Sequence, residues 1–215
     1  MTGPLDLTAR KDALLEAMLP DVTFDGWSLV TLHAGARSLG LDESEMLQLF
    51  PEGPGEAALW LDDWADRRML AALEQMDLPA LKVRERVAVA VKARLDALAP
   101  HREAVRRAIA LKATPFGAIR AARIVYRTVD AIWYAAGDTA TDFNFYTKRS
   151  LLAAVYGPTI LYWLNDRSEG AADTHEFLRR RLADVMKLPQ LGQQIRKAAK
   201  RATAPLQVFR QEVRH

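Results

Sequence analysis

Residues 31–51 read TLHAGARSLGLDESEMLQLFP and contain two short helical patterns on either side of Gly40. Glycine readily adopts the left-handed conformation that ends many helices, so Gly40 predicts a turn at this point. Asp42 and Glu45 have the spacing of a capping box, which predicts that a helix begins beside them. Together with the apolar spacing upstream, these signals predict three helices, over roughly residues 8–19, 28–39 and 42–49. Three helices joined by short turns have the outline of a helix-turn-helix unit.

The rest of the chain also has helical spacing. Apolar residues recur every three or four positions, as in Leu61, Ala65, Met69, Ala72 and Met76, and prolines or glycines separate such runs. We therefore predict an all-α fold of about ten helices, in which a helical ligand-binding body and a C-terminal amphipathic helix follow the helix-turn-helix unit.

Several boundaries in this body are specific expectations. Pro20 is expected to end the first helix, and long helices are expected over residues 116–136 and from 141 to about 164. Asp173 and Glu176 repeat the capping-box spacing and predict another helix start. The small residues Ala153, Ala154 and Gly157 form a strip on the 141–164 helix, which favours close contact with a second copy in a homodimer.

Charge is unevenly distributed along the 215 residues, which carry a formal net charge of +3. Residues 190–215 hold six Lys or Arg residues against one Glu, and their apolar residues lie on one side of a helical projection. Such a basic amphipathic helix binds membrane surfaces, or its apolar stripe packs on protein, and the sequence leaves both open. The predicted membrane-binding residues are Leu191, Ile195, Arg196, Lys197, Lys200, Arg201, Leu206 and Phe209.

Composition excludes several classes of function. The chain has no cysteine, so thiol chemistry and disulfides are absent. The N-terminal residues lack the order of a secretion signal, and the longest apolar stretch, 151–164, is too short to cross a bilayer. Phosphate-binding loops, zinc-protease motifs and nucleophile elbows are missing, and the four histidines are scattered. We expect no catalysis, no metal and no cofactor.

The segment ending in Phe50-Pro51 resembles the DNA-reading unit of the tetracycline-repressor family. Residues 41–66, however, contain eight acidic residues and no Lys or Arg. Because affinity for DNA comes mainly from neutralising phosphates, this composition favours a structural subdomain over a DNA reader. The alternative is a ligand-responsive transcriptional regulator that contacts DNA through His33, Arg37 and helix termini.

A second resemblance covers most of the chain. Residues 137–149, GDTATDFNFYTKR, closely resemble the signature of the Coq-nine family of ubiquinone-biosynthesis proteins. Shorter similarities occur at 24–28, 49–51, 65–67, 83–86, 130–133 and 177–181. The resemblance implies a tetracycline-repressor-like homodimer that has lost DNA binding, holds an isoprenoid lipid or quinone intermediate in an apolar cavity, and meets the membrane through its C-terminal helix.

The same resemblance implies a partner. Family members present the lipid-bound precursor to a di-iron hydroxylase of ubiquinone synthesis, the demethoxyubiquinone hydroxylase or Coq-seven, through a patch within the signature. Here that patch corresponds to Asp142, Asn144, Phe145, Tyr146 and Arg149. Phe145 stands where the family usually has tryptophan, which keeps an apolar ring but removes the indole donor.

The lipid-binding residues are expected among the bulky positions of the body, although spacing alone does not separate cavity from core. They are Trp64, Met69, Val87, Val91, Phe116, Ile119, Tyr126, Val129, Trp133, Leu152, Tyr156 and Trp163. Asp130 lies among apolar neighbours, so it either orients a ligand head group or pairs with Arg120, Arg123 or Arg127.

The chain divides on this interpretation into a helix-turn-helix subdomain (1–52), a lipid-binding and dimerisation body (53–189) and a membrane-binding helix (190–215). The expected location is cytoplasmic, peripheral on the inner face of a bacterial inner membrane.

Overall fold

A computed structural model describes residues 4–112, 115–138 and 143–185. Eight helices have both ends described: α1 Pro4–Asp25, α2 Leu29–Ser38, α3 Glu43–Leu49, α4 Pro54–Glu74, α5 Val83–Leu98, α6 Arg102–Lys112, α7 Pro115–Ala135 and α8 Phe143–Trp163. A ninth, α9, is described over 172–185, and 3-10 turns occur at Leu78–Ala80, Ala99–His101 and Glu169–Ala171. These ranges contain no strand, which confirms the predicted all-α class with slightly fewer helices than ten.

The first three helices begin and end where local chemistry places them. Asp42 accepts a hydrogen bond from the Glu45 amide at 2.8 Å, and the Glu45 carboxylate accepts one from the Asp42 amide at 3.1 Å. The predicted capping box at α3 is therefore confirmed. Gly40 has a φ of +70°, the left-handed conformation expected between α2 and α3. Ser28 and Thr31 form a further box at the start of α2.

Pro20 does not end the first helix, contrary to the sequence-based expectation. It lies inside α1, which continues to Asp25. Proline removes one backbone donor within a helix, but Leu15, Met18, Leu19 and Val22 on either side of it are fully buried. Burial of this apolar face favours continuation of the helix beyond the proline, because tertiary packing outweighs local propensity.

One hydrophobic core extends from the N-terminal helices through the body. α4 contacts α1, α2, α5, α6 and α7, and buries Leu61, Ala65 and Met69 among them. Two tryptophans of α4 also reach α1, since the indole of Trp60 donates to Asp12 at 2.7 Å and that of Trp64 donates to Glu16 at 2.8 Å. The core is thus continuous across the predicted boundary at residue 52, and the division into 1–52 and 53–189 stays a prediction.

The start of α9 differs from the capping box predicted at Asp173 and Glu176. Its first turn is held by Asp166, a buried carboxylate seven residues earlier. Asp166 accepts hydrogen bonds from the Ser168 amide and hydroxyl, at 2.8 and 2.6 Å, and from the Thr174 amide and hydroxyl, at 2.9 and 2.5 Å. The amide of Asp173 donates to Ser168 Oγ at 3.0 Å. The sequence predicted the position of the helix start, but it assigned the capping carboxylate to Asp173 instead of Asp166.

None of the described helices is long and apolar enough to cross a membrane. The basic C-terminal segment, 190–215, lies outside the described residues, so its membrane binding stays a prediction. Of the small strip on α8, Ala154 is exposed, and a Cβ built on Gly157 would meet no atom within 4 Å. Ala153 is partly buried against the core, so the described chain leaves only part of this strip uncovered, and the homodimer also stays a prediction.

Replacement of Asp166 by asparagine should destabilise the protein by about 1–3 kcal/mol at pH 7, because an amide cannot accept all four hydrogen bonds. Burial alone would raise the pKa of Asp166, but hydrogen bonds from Ser168 and Thr174 outweigh it and place the pKa far below 3.8, its ordinary value. A lowered folded-state pKa stabilises the fold above pH 3.8 and loses that contribution as the pH falls below it.

Urea unfolding at pH 7 and pH 3 measures this effect. The stability difference between the wild type and Asp166→Asn should be smaller at pH 3. Asp173→Asn is the matched control, since Asp173 is exposed and its carboxylate makes no hydrogen bond among the described residues. If Asp173→Asn were as unstable as Asp166→Asn, the cap of α9 would have to be assigned to Asp173.

Candidate functional site

An open groove of about 520 Å³ lies beside α7 and α8. Its walls are mainly apolar and its floor contains polar side chains. The residues that line it are Asp62, Ile109, Lys112, Ala118, Ala121, Ile124, Val125, Thr128, Tyr156, Gly157, Pro158, Ile160 and Leu161. We call this the α7–α8 groove.

The spacing of the lining residues explains the shape of the groove. Ala118, Ala121, Val125 and Thr128 recur every three or four residues, so they share one face of α7. The two alanines leave space beside α7 that larger residues would fill. On α8, Gly157 contributes no side chain to the groove, and Leu161 one turn later supplies an apolar wall. The groove therefore results from small residues facing one another across two long helices.

The floor of the groove is organised by Arg94 of α5, whose side chain is 0% exposed. Its Nε donates to Asp66 Oδ1 at 2.6 Å and its Nη1 donates to the Tyr156 hydroxyl at 2.5 Å. Its Nη2 donates to the backbone carbonyl and the carboxylate of Asp62, at 3.3 and 3.1 Å. Thr128 Oγ1 donates to Asp66 at 3.0 Å. This Arg94 cluster joins α4, α5, α7 and α8.

The charged groups within the floor are paired. Lys112 forms a second ion pair with Asp62, so two cations face the carboxylates of Asp62 and Asp66. Burial alone would raise the pKa of Asp62, but the Lys112 ammonium and the Arg94 guanidinium outweigh it and hold that pKa below its ordinary value. Arg127 lies 3.9 Å from Asp66 and also pairs with Asp63, so each carboxylate of the floor contacts more than one cation.

Tyr156 differs from its neighbours in the cluster because it is a neutral donor and acceptor. It is only 3% exposed, and burial raises the pKa of its hydroxyl further above the ordinary value despite the adjacent guanidinium. The hydroxyl therefore keeps its proton at physiological pH. The arrangement can hold a polar group at the floor and an apolar chain along the walls, which is the usual composition of a small-molecule site.

A second groove, the α5–α9 groove, is smaller and almost entirely apolar. It has a volume of about 350 Å³ and is lined by Val83, Arg84, Val87, Trp133, Lys148, Leu151, Leu152, Leu182 and Val185. Lys148 and Arg84 are its ionisable residues, and the indole of Trp133 donates away from it to the backbone carbonyl of Lys148 at 3.1 Å. Within the described residues, the polar groups of this groove do not form a cluster comparable to the Arg94 cluster.

The predicted lipid-binding residues divide among these places. Tyr156 lines the α7–α8 groove, and Val87, Trp133 and Leu152 line the α5–α9 groove. Ile119 is 63% exposed beside a third surface depression, Tyr126 is 44% exposed, and the side chain of Phe116 lies outside the described residues. The remaining predicted residues are buried in the core and line neither groove: Trp64, Met69, Val91, Val129 and Trp163. Within the ranges that the structure describes, these residues border open grooves rather than the enclosed cavity that was expected.

The predicted partner patch is built around Arg149, which is buried rather than presented at the surface. Its Nε donates to Asp130 at 2.6 Å and its Nη1 donates to Asp138 at 3.2 Å. Its guanidinium lies 3.3 Å from the centre of the Phe145 ring, which in turn contacts Tyr146 edge to face. Arg149 therefore positions the aromatic pair, and the exposed member is Tyr146.

This geometry also corrects the partner assigned to Asp130. The sequence left a ligand head group or Arg120, Arg123 and Arg127 as its partners, whereas the structure pairs it with Arg149 of the next helix. Arg127 lies three residues before Asp130 on the same helix, but the Asp130 carboxylate binds Arg149 of α8 instead. Of the other patch residues, Asp142 and the side chain of Asn144 lie outside the described residues.

The acidic residues between 41 and 66 do not form the single repulsive surface that the sequence indicated. Six of the eight form ion pairs with Lys or Arg elsewhere: Glu45, Glu52, Glu56, Asp62, Asp63 and Asp66. Asp42 and Glu43 remain exposed at the beginning of α3. The acids thus hold α3 and α4 to neighbouring helices, and α3 itself brings no Lys or Arg to its surface.

The sequence reasoning missed the cluster beneath the α7–α8 groove. Arg94 interrupts an apolar face of α5 formed by Val87, Val91, Leu95 and Leu98. An arginine on a buried face requires an anionic partner, and Asp62 and Asp66, spaced four apart on α4, are suitable candidates. That combination was the available signal.

Comparison with known proteins identifies similar sequences and folds. Residues 118–189 match the family model for COQ9, the Coq-nine family. The human "Ubiquinone biosynthesis protein COQ9, mitochondrial" is 32% identical over 190 residues, which are 85% of this chain and 59% of that protein. The Drosophila melanogaster protein of the same name is 32% identical over 88% of this chain and 61% of its own length. The chain thus spans about three fifths of the length of these relatives.

Two solved structures share the fold. A TetR transcriptional regulator from Nitrosomonas europaea has a TM-score of 0.70 and 28% identity, over 83% of this chain and 98% of that chain. A TetR regulator from a Rhodococcus species has a TM-score of 0.63 and 18% identity, over 85% of this chain and 97% of that chain, and shows the fold alone. The predicted tetracycline-repressor-like fold is confirmed.

The expected location is wrong by the same comparisons. The sequence analysis expected a cytoplasmic protein on the inner face of a bacterial inner membrane. The human, bovine, Drosophila and Dictyostelium relatives are all named as mitochondrial proteins. No charge pattern in the sequence distinguishes these compartments, and the expectation had no independent support.

Proposed function

This chain belongs to the COQ9 family, and from that membership we propose that it serves ubiquinone biosynthesis as a non-catalytic lipid-binding protein. It binds isoprenoid quinone intermediates in the α7–α8 groove and presents them to the demethoxyubiquinone hydroxylase. The names of the relatives support the pathway, and the groove supports the ligand class.

The observation that carries this proposal is the composition of the α7–α8 groove. Apolar walls that include Ile124, Ile160 and Leu161 fit a hydrocarbon chain, because burying such a chain stabilises the complex by about 25 cal/mol per Å². The polar floor of the groove differs in chemistry from its apolar walls. A ligand with a long apolar tail and a polar ring matches both the walls and the floor.

The charged groups of the groove favour binding over catalysis. Asp62 is paired with Lys112 and with Arg94, and Asp66 accepts from Arg94 and Thr128. A general base needs a carboxylate or imidazole that is able to accept a proton from the ligand. Here Lys112 and Arg94 already contact both carboxylates, so the proposed role is to hold the ligand rather than to transform it.

The aromatic pair Phe145 and Tyr146 is the proposed contact for the hydroxylase. Tyr146 is 63% exposed, and the half-buried ring of Phe145 packs against the Arg149 guanidinium. Exposed aromatic residues with a rigid support are frequent anchors of protein interfaces. The pair begins α8, whose C-terminal half lines the α7–α8 groove, so one helix connects the proposed contact with the proposed ligand.

Regulation of transcription has less support than lipid binding. α3 occupies the position of a recognition helix, but it carries Glu43 and Glu45 in its first turn and no basic residue in its last turn. Phosphate binding requires cations or free helix-terminal amides at this surface. In α3 the terminal amide of Glu45 is already bonded to Asp42.

Lipid occupancy should depend on the open space at Gly157. Gly157→Leu places a side chain into the α7–α8 groove at a position where an added Cβ meets no atom within 4 Å, so it should abolish lipid binding and leave the fold intact. Lipids extracted from the purified protein, identified and quantified by mass spectrometry, measure the effect. We expect an isoprenoid quinone or its precursor in the wild type and a loss of about tenfold or more in the variant.

Two further variants make this test specific. Ala121→Leu fills the same groove from α7, so equal loss in both variants excludes an effect through the uncovered strip on α8. Gly55→Leu is the matched control, since a Cβ there also meets no atom within 4 Å but Gly55 lines a different depression. Undiminished lipid in Gly157→Leu and Ala121→Leu would contradict the proposal.

Contact with the hydroxylase should depend on the aromatic pair and not on the groove. Phe145→Ala removes the ring that Arg149 supports, so it should weaken binding to the purified hydroxylase about tenfold or more and leave lipid content unchanged. The affinity is measured by titrating each variant over surface-immobilised hydroxylase. Tyr162→Ala, an exposed aromatic at the other end of α8, should bind as the wild type does. Equal affinity of Phe145→Ala and the wild type would remove the patch from the interface.

A further inference from the structure

We infer that the Tyr156 hydroxyl, held by Arg94 at the floor of the α7–α8 groove, donates a hydrogen bond to an uncharged ring carbonyl of the ligand. The site thereby selects a neutral carbonyl-bearing ring over a carboxylate or phosphate head group. This inference rests on the proposed lipid binding and adds to it the group that is recognised.

The first step is the unused donor of Tyr156. A phenolic hydroxyl donates one hydrogen bond and accepts others. Among the described residues, the Tyr156 hydroxyl makes one hydrogen bond, and in it Arg94 Nη1 is the donor at 2.5 Å. The proton of the hydroxyl therefore has no acceptor within the described chain. Leaving a buried donor without an acceptor costs about 1–3 kcal/mol, so a ligand oxygen that accepts it gains that amount.

The second step is the effect of Arg94 on that donor. A hydroxyl that accepts a hydrogen bond from a cation becomes a stronger donor itself, because hydrogen bonds in series polarise one another. The guanidinium centre also lies 5.5 Å from the centre of the Tyr156 ring. Burial raises the pKa of the hydroxyl, so the proton stays on the oxygen and is shared with an acceptor rather than lost.

The third step is the charge of the ligand. Arg94 and Lys112 are both used by Asp62 and Asp66, and Arg127 is used by Asp63 and Asp66, so each of these three cations already has a carboxylate partner. An anionic head group would lose its hydration without gaining a free cation, and it would approach two carboxylates. A neutral carbonyl oxygen pays a much smaller desolvation cost and satisfies the free donor. The groove therefore discriminates by charge as well as by hydrogen bonding.

Binding of four probes with ten-carbon chains tests the inference. They are a decyl-substituted 1,4-benzoquinone, decylbenzene, decanoate and decyl phosphate, titrated calorimetrically into the wild type. The quinone should bind about tenfold more tightly than decylbenzene, which has no acceptor, and more tightly than both anions. Equal or tighter binding of decanoate or decyl phosphate would overturn the inference.

Tyr156→Phe separates recognition from packing, because it removes the hydroxyl and keeps the ring. It should weaken quinone binding about tenfold and leave decylbenzene binding unchanged. Tyr162→Phe, which removes a hydroxyl from the ring that stacks on Phe177, should change neither. If Tyr156→Phe weakens both probes equally, the residue acts through structure alone and the inference fails.

Infrared spectroscopy gives a second readout that needs no variant at this position. The carbonyl stretch of the ¹³C-labelled quinone should move to lower frequency in the wild-type protein than in an aprotic solvent, because the oxygen accepts a hydrogen bond. An unshifted band for the bound quinone would overturn the inference and leave lipid binding in place. Failure of the quinone and of decylbenzene to bind, or binding unaffected by Gly157→Leu, would overturn lipid binding in this groove as well.

Discussion

The structure depends on the buried guanidinium of Arg94. A charge without exposure to water is tolerated only when hydrogen bonds and opposite charges replace its hydration. Asp62 and Asp66 of α4, Tyr156 of α8 and, through Asp66, Thr128 of α7 meet this requirement. Because these partners come from α4, α7 and α8, satisfying one side chain of α5 fixes the relative positions of four helices.

The α7–α8 groove follows from this constraint. α4, α5, α7 and α8 are fixed by polar contacts at the level of Arg94, while small residues at Ala118, Ala121 and Gly157 keep α7 and α8 from filling the space beside them. A site with a polar floor and apolar walls results. The same use of ion pairs explains the acidic run from 41 to 66, in which most carboxylates bind neighbouring helices rather than facing solvent.

Local features of the fold were predictable from the sequence, and contacts between distant residues were not. The cap at Asp42 and the turn at Gly40 involve groups within a few residues, so spacing identified them. The predictions at Pro20 and Asp173 were wrong. Burial of α1 continues that helix past Pro20, and the carboxylate of Asp166, rather than that of Asp173, holds the first turn of α9. Arg94 pairs with residues 28 and 62 positions away, which helical periodicity does not reveal. Five of the twelve bulky residues predicted as lipid contacts are buried in the core and line neither groove, since size and spacing are the same for a wall and a filled interior.

The unfolding free energy of Arg94→Met, measured in urea beside Lys92→Met, tests the central role of the Arg94 cluster most directly. Methionine keeps the apolar length of the side chain but deprives the buried Asp66 of its hydrogen-bonded cation and leaves only Arg127 at 3.9 Å, so we expect a loss of about 3–5 kcal/mol. Lys92 pairs with Asp96 on the exposed side of the same helix, and its replacement should cost less than about 1 kcal/mol. Equal stability of Arg94→Met and Lys92→Met would show that the buried guanidinium does not hold the four helices together and would contradict this account of the groove.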